Sequence, residues 1–187
     1  ANTMIRLFVN AYVNHSNLAD ATRYLVNELF GAYGLIILDR NDKDLKHLFK
    51  QEFKKDIFEN NAFTAVNTSI GQLKANYSIQ VNPREINAFY KEHQLRERIE
   101  KEGDNYKVVN TGITFSKKEL EDLIETSPEK LSPNVLLRPL YQQQILPNIA
   151  YVGGPGEIAY WLEYKLLFES YGITFPILMP RNFVMLM

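Results

Sequence analysis

The chain has 187 residues, 45% of them hydrophobic and 23% charged, with 21 basic against 22 acidic side chains and a formal net charge of -1. That composition excludes a collagen-like, low-complexity or wholly disordered chain and fits one generous domain or two small ones. The balanced charge gives no reason to expect nucleic acid, and no apolar run reaches the roughly 18 residues a spanning helix needs.

Cysteine is absent, which excludes disulfides, thiolate metal sites and a thiol nucleophile from these residues. A reducing cytoplasm is compatible with that. No secretory pattern follows Ala1-Asn2-Thr3, and the chain closes on Met185-Leu186-Met187. From these ends we expect an internal piece of a longer protein.

In chain order, Asn17 reads as the cap of a helix whose stripe is Leu18, Ala21, Leu25 and Leu29. Gly31 and Gly34 punctuate. The run Leu35-Ile36-Ile37-Leu38 has the length and composition of a strand buried on both faces. A second amphipathic helix starts near Asp42, with Leu45, Leu48, Phe49, Phe53 and Ile57 inward and Lys43, Lys46, Lys50, Lys54 and Lys55 forming a solvated face, the alternative being a docking surface for an anion. Short alternating segments follow at Tyr77–Val81, Ile86–Lys91, Leu95–Ile99 and Tyr106–Val109, the pattern of a small antiparallel meander. Ser116 and Glu119 make a capping box with Phe115 and Leu120 as staple, and Ser127-Pro128 ends that helix.

The last third predicts a helix over Pro139–Leu146, with Arg138 biased towards an extended backbone by the following proline. A buried strand is predicted at Ile149–Val152, a tight turn at Gly153-Gly154-Pro155-Gly156, a helix from about Pro155 to Tyr171 ended by Gly172, and a strand at Phe175–Met179. This is a right-handed parallel βαβ unit. The expected fold class is α/β, a Rossmann-like partial core carrying an inserted antiparallel β plus helix segment. Residues 1–75 form the helical and α/β part of the core, 76–131 the inserted subdomain and 132–187 the α/β core with the glycine-rich turn.

Chemistry points to that turn. Glycines at a helix N-terminus bring amides to a phosphate, but the pattern is neither G-x-G-x-x-G nor a Walker loop. Pro155 has no N–H, and Glu157 would repel an anion. A second reading has the glycines admit a substrate closely while Glu157 receives an ammonium group; a third has Glu157 only complement the helix dipole. Arg138 and Arg181, each beside a proline, are candidates to grip carboxylate or phosphate in two-pronged fashion, or else to pair with an internal carboxylate. Tyr160 can face the turn, whereas Trp161 reads as core. His15, His47 and His93 lack metal-ligand spacing, and no Ser/His/Asp arrangement or G-x-S-x-G elbow appears. No metal site is expected.

Several stretches resemble the bacillithiol-biosynthesis cysteine-adding enzymes. The most distinctive is Leu146-Pro-Asn-Ile-Ala-Tyr-Val-Gly-Gly-Pro-Gly-Glu-Ile-Ala-Tyr-Trp161. The run from Ser132 through Asn134, Val135, Arg138 and Pro139 to Tyr141 and Gln142, and Pro176-Ile-Leu-Met-Pro-Arg-Asn182, are similar as well. So are Tyr33–Asp39, Asn82–Asn87 and Phe115–Leu120. The resemblance implies a cytoplasmic ligase joining L-cysteine to glucosaminyl malate, with a Rossmann-like core, inserted connecting segments and a C-terminal coiled coil supporting a homodimer. It implies ATP or ADP as nucleotide for the full-length enzyme and no covalently bound cofactor, nucleic acid or membrane as partner. Arg138, Asn148, Gly153, Gly154, Gly156, Glu157, Tyr160 and Arg181 match the family pattern. Glu157 is the candidate catalytic residue and the others candidate substrate contacts. The family's N-terminal glycine-rich motifs and its coiled coil are missing from these 187 residues, so by themselves they are expected to be inactive. The alternatives are a non-catalytic nucleotide or small-metabolite module and a purely structural scaffold.

Overall fold

A computed structural model describes residues 2–183, so Ala1 and the closing Met185-Leu186-Met187 lie outside the described residues. The chain forms two compact units, residues 1–42 and 43–187.

In the first unit, α1 (Asn2–Val13) packs on α2 (Leu18–Phe30). Asn17 caps α2 as its residue type predicts, its side-chain oxygen accepting from the Asp20 N–H at 2.9 Å. Ala11, Ala21 and Leu25 are buried. Gly34 takes the left-handed conformation (φ 79°) that closes a 3-10 turn. The expected strand at Leu35–Leu38 is absent: the run is irregular and Ile36 is 63% exposed. A strand exists only through a hydrogen-bonded neighbour, and among the described residues this unit contains no other.

The second unit starts with the predicted amphipathic segment, split into α3 (Lys43–His47) and α4 (Lys50–Glu59) by a turn at Leu48-Phe49. The split leaves Phe49, Phe53 and Ile57 buried but turns Leu48 outwards. The lysines are not the solvated face that was expected. Lys46 is buried, with its Nζ 4.7 Å from the Tyr141 ring centre. Lys50 and Lys54 each reach Glu125 at 2.7 Å. A helix absent from the sequence reading, α5 (Asn61–Leu73), follows.

The meander is present as β1 (Ala88–Glu92), β2 (Leu95–Glu102) and β3 (Asn105–Val108), all antiparallel. It is extended by β4 (Thr114–Ser116) beside β3 and β5 (Leu131–Pro133) beside β1, giving the order β4-β3-β2-β1-β5. Tyr77–Val81 is not a strand. Its backbone is held by a side chain instead, the buried Glu163 carboxylate accepting from the Gln80 N–H at 2.7 Å and the Val81 N–H at 3.4 Å. The Ser116/Glu119 capping box starts α6 (Lys117–Thr126) as expected, and Ser127-Pro128 ends it.

The predicted parallel unit forms. It consists of β6 (Ala150–Gly153), α8 (Pro155–Trp161), a 3-10 turn at Leu162–Tyr164, α9 (Lys165–Tyr171) and β7 (Ile177–Pro180), with Gly172 left-handed (φ 69°) at the helix end. In register, Tyr151 faces Leu178 and Gly153 faces Pro180. Contrary to the expected buried strand, Val152 is 59% exposed, because among the described residues β6 has only β7 beside it. Trp161, Phe168 and Phe175 pack ring on ring beneath this sheet.

The fold is thus mixed α/β, a parallel βαβ unit joined to an antiparallel sheet and helices. No helix among the described residues is long and apolar enough to cross a membrane.

Candidate functional site

The glycine-rich turn lies between the carboxyl end of β6 and the first turn of α8, where α/β sheets present ligand-binding groups. Gly154 has no side chain with which to cap α8, so only the returning half of a capping box forms. Glu157 Oε2 accepts from the Gly154 N–H at 2.8 Å. Glu157 Oε1 accepts from the Tyr151 hydroxyl at 3.2 Å. Both carboxylate oxygens are therefore fixed by donors. The Gly154 N–H, then the Tyr151 hydroxyl, and more weakly the nearby Arg181 charge, hold the Glu157 carboxyl below the usual carboxylate range.

Arg181 is delivered by backbone pairing. It follows β7 directly, and its N–H donates to the Gly153 carbonyl at 2.8 Å. A methyl group placed on Gly154 would lie 3.2 Å from Arg181 Nη2 and 3.5 Å from Glu157 Oε2, so acid and guanidinium converge on this glycine. Arg181 is exposed and Glu157 half-buried, so the corner is open to water.

The glycines serve this corner differently from the expected close approach of a substrate. A methyl group on Gly153 would fall 2.7 Å from Tyr151 Cε1, so its missing side chain makes room for that ring. Gly154 leaves room for Arg181, and only Gly156 has open space beside it.

Tyr160 is half-buried on α8. Burial raises its phenol pKa and the Glu157 charge adds to the rise, while a hydrogen bond with Tyr151 and, more weakly, the Arg138 charge oppose it. Arg138 is exposed. It is not extended, as Pro139 led us to expect, but lies within α7 (Leu137–Ile145). Asn134 accounts for the difference: its Oδ1 accepts from the N–H groups of Leu136 and Leu137, and its carbonyl from that of Arg138. Proline is tolerated in a first helical turn, where no N–H is required.

Asn148 bonds to its own connection. Its Nδ2 donates to the Leu146 carbonyl at 2.7 Å and its own carbonyl accepts from Gln143 Nε2 at 2.9 Å, clasping the α7–β6 connection.

Tyr151 escaped the sequence reading. Its signal was available only as an aromatic on the last turn of strand before the glycines. The turn does not fit a nucleotide phosphate, since Pro155 offers no N–H, the Gly154 N–H is engaged and a carboxylate occupies the helix start.

The sequence profile of the family described as bacillithiol biosynthesis BshC, N-terminal Rossmann-like domain, matches residues 1–182. A protein of Flavobacterium johnsoniae, named as a candidate cysteine ligase BshC, is 54% identical over 186 residues, covering 100% of this chain and 35% of that protein. A like-named protein of Flavobacterium psychrophilum is 57% identical over 95% of the chain and 33% of its own length. Another from Staphylococcus aureus is 32% identical over 89% of the chain and 32% of its length. The chain spans about a third of these relatives. It belongs to the BshC family of bacillithiol biosynthesis, in the N-terminal Rossmann-like domain.

Proposed function

We propose that the full-length protein is a ligase that joins L-cysteine to glucosaminyl malate by an amide bond, and that the β6–α8 corner orients the cysteine. One observation carries the second part: Glu157, ionised and pinned at both oxygens, and the Arg181 guanidinium both flank Gly154. A carboxylate beside a guanidinium complements a zwitterion, with the ammonium on Glu157 and the α-carboxylate on Arg181. In this reading the exposed Arg138 and the half-buried Tyr160 are the candidates to receive the malyl carboxylates.

A general base works best with a pKa near the working pH. Glu157 is shifted the other way, so its role in this reading is to bind and orient the ammonium rather than to remove its proton. The amine must still lose a proton and the malyl carboxyl must be activated, and neither step is assigned to these residues. The reading takes the full-length protein as a cytoplasmic homodimer. It holds the 187-residue span inactive alone, since that span is about a third of its relatives' length.

Incubation of the full-length protein with L-cysteine, glucosaminyl malate and ATP, read by mass spectrometry, tests the reaction. Bacillithiol from the full-length protein and none from the 187-residue span is expected. Absence of product from the full-length protein overturns the ligase reading, and product from the span alone overturns its dependence on the remainder.

A further inference from the structure

The Tyr151 hydroxyl is joined to Glu157, and nothing in the sequence pattern assigned it a task. We infer that Tyr151 is a positioning residue that fixes the Glu157 carboxylate, and thereby the affinity for the amine substrate. This inference rests on the reading of the corner as an ammonium site.

Three features make the contact a built one. The Tyr151 ring stacks on Trp161 with centres 4.2 Å apart and planes 24° from parallel, and Trp161 is buried in the core. The ring lies across the turn in the space that Gly153 leaves by having no side chain. From this anchored position its hydroxyl meets Oε1, while the Gly154 N–H meets Oε2. The carboxylate plane is thereby set from both ends.

Each carboxylate oxygen has two acceptor positions. With one on each oxygen engaged by protein donors, one on each remains for an incoming ammonium. A freely rotating glutamate would have to lose side-chain freedom on binding; here that freedom is already gone. Burial and the Glu157 charge push the Tyr151 phenol up to about 12, so it stays a donor throughout the neutral range and never competes as a base. Its hydrogen bond also favours the ionised carboxylate that an ammonium needs.

Tyr151→Phe removes one oxygen and keeps the ring on Trp161, so packing and hydroxyl are separable. In the full-length enzyme we expect a 3- to 10-fold rise in KM for L-cysteine, close to the order of one hydrogen bond, with kcat and KM for glucosaminyl malate within twofold. The acid limb of kcat/KM for cysteine should move to higher pH. In a Glu157→Gln background the same change should have no further effect on cysteine KM.

If Glu157→Gln leaves cysteine kinetics unchanged, the ammonium-site reading fails. If Glu157→Gln impairs cysteine binding but Tyr151→Phe moves neither KM nor the acid limb, the positioning role alone is overturned. Equal effects of Tyr151→Phe in both backgrounds also overturn it, since the hydroxyl would then act without Glu157. A loss confined to thermal stability would mark Tyr151 as a packing residue and reject the inference.

Discussion

Two adjacent glycines answer different needs. At Gly153 a methyl group meets the stacked Tyr151 ring at 2.7 Å, so Gly153→Ala must displace an aromatic anchored on Trp161. At Gly154 the methyl meets the end of a flexible arginine at 3.2 Å, which moves aside readily. Thermal or denaturant melts should therefore show Gly153→Ala losing about 1–3 kcal/mol, as overpacking does, and Gly154→Ala losing less than about 1 kcal/mol. Equal losses would mean that Tyr151 does not constrain the turn. At this scale the sequence was informative about residue type and silent about direction. Glu157 and Arg181 were legible as an acid and a base near a turn. That Tyr151 would fold back across Gly153 depended on a stacking partner ten residues away.

At the scale of elements, a polar relay ties the helices to the sheet. Asp56 on α4 is fully buried; its Oδ2 accepts from the Asn87 N–H at 2.6 Å and its Oδ1 from Asn87 Nδ2 at 3.0 Å. Asn87 Oδ1 in turn accepts from Asn134 Nδ2 at 2.9 Å, and Asn134 caps the helix carrying Arg138. Burial raises the Asp56 pKa to about 7 against the pull of these hydrogen bonds. The unfolded carboxyl titrates near ~4. Between those values the folded chain holds the extra proton, so this group makes stability fall as pH rises through the window and level off above it. Glu125 acts oppositely at lower pH. Lys50 and Lys54 hold it at about 2, and its contribution is lost as pH falls towards that value.

Denaturant melts at pH 4.5 and 7.5 should show the wild type losing stability with rising pH and Asp56→Asn losing less. An equal slope in both would remove Asp56 from the account. Local rules read several elements correctly, among them the Ser116 box, the Asn17 cap and the Gly172 stop, because those signals act within a few residues. Tyr77–Val81 has strand alternation, yet Glu163, more than eighty residues on, captures its amides. Leu35–Leu38 has strand composition and no strand beside it.

Across the whole molecule, burial is uneven. Residues 1–42 bury only small or isolated apolar groups among those described, Ala11, Ala21 and Leu25, whereas 43–187 enclose a continuous core from Phe49 to Tyr171. Local opening should follow that difference. In hydrogen exchange on this chain, amides of α1 and α2 should exchange through low-energy openings while those of α4, β1 and α9 exchange last. Uniform protection would contradict this picture. The βαβ order was readable because its strand, turn and helix signals are consecutive in the chain. The five-stranded order was not, since β5 joins β1 across some forty intervening residues.

Steady-state kinetics of full-length Glu157→Gln test most directly whether Glu157 binds the amine of cysteine. Loss of one charge-assisted contact, about 1.5–3 kcal/mol, corresponds to a rise of roughly 10- to 100-fold in KM for L-cysteine. KM for glucosaminyl malate should stay unchanged. An unaltered cysteine KM, or a loss confined to kcat, would contradict the claim.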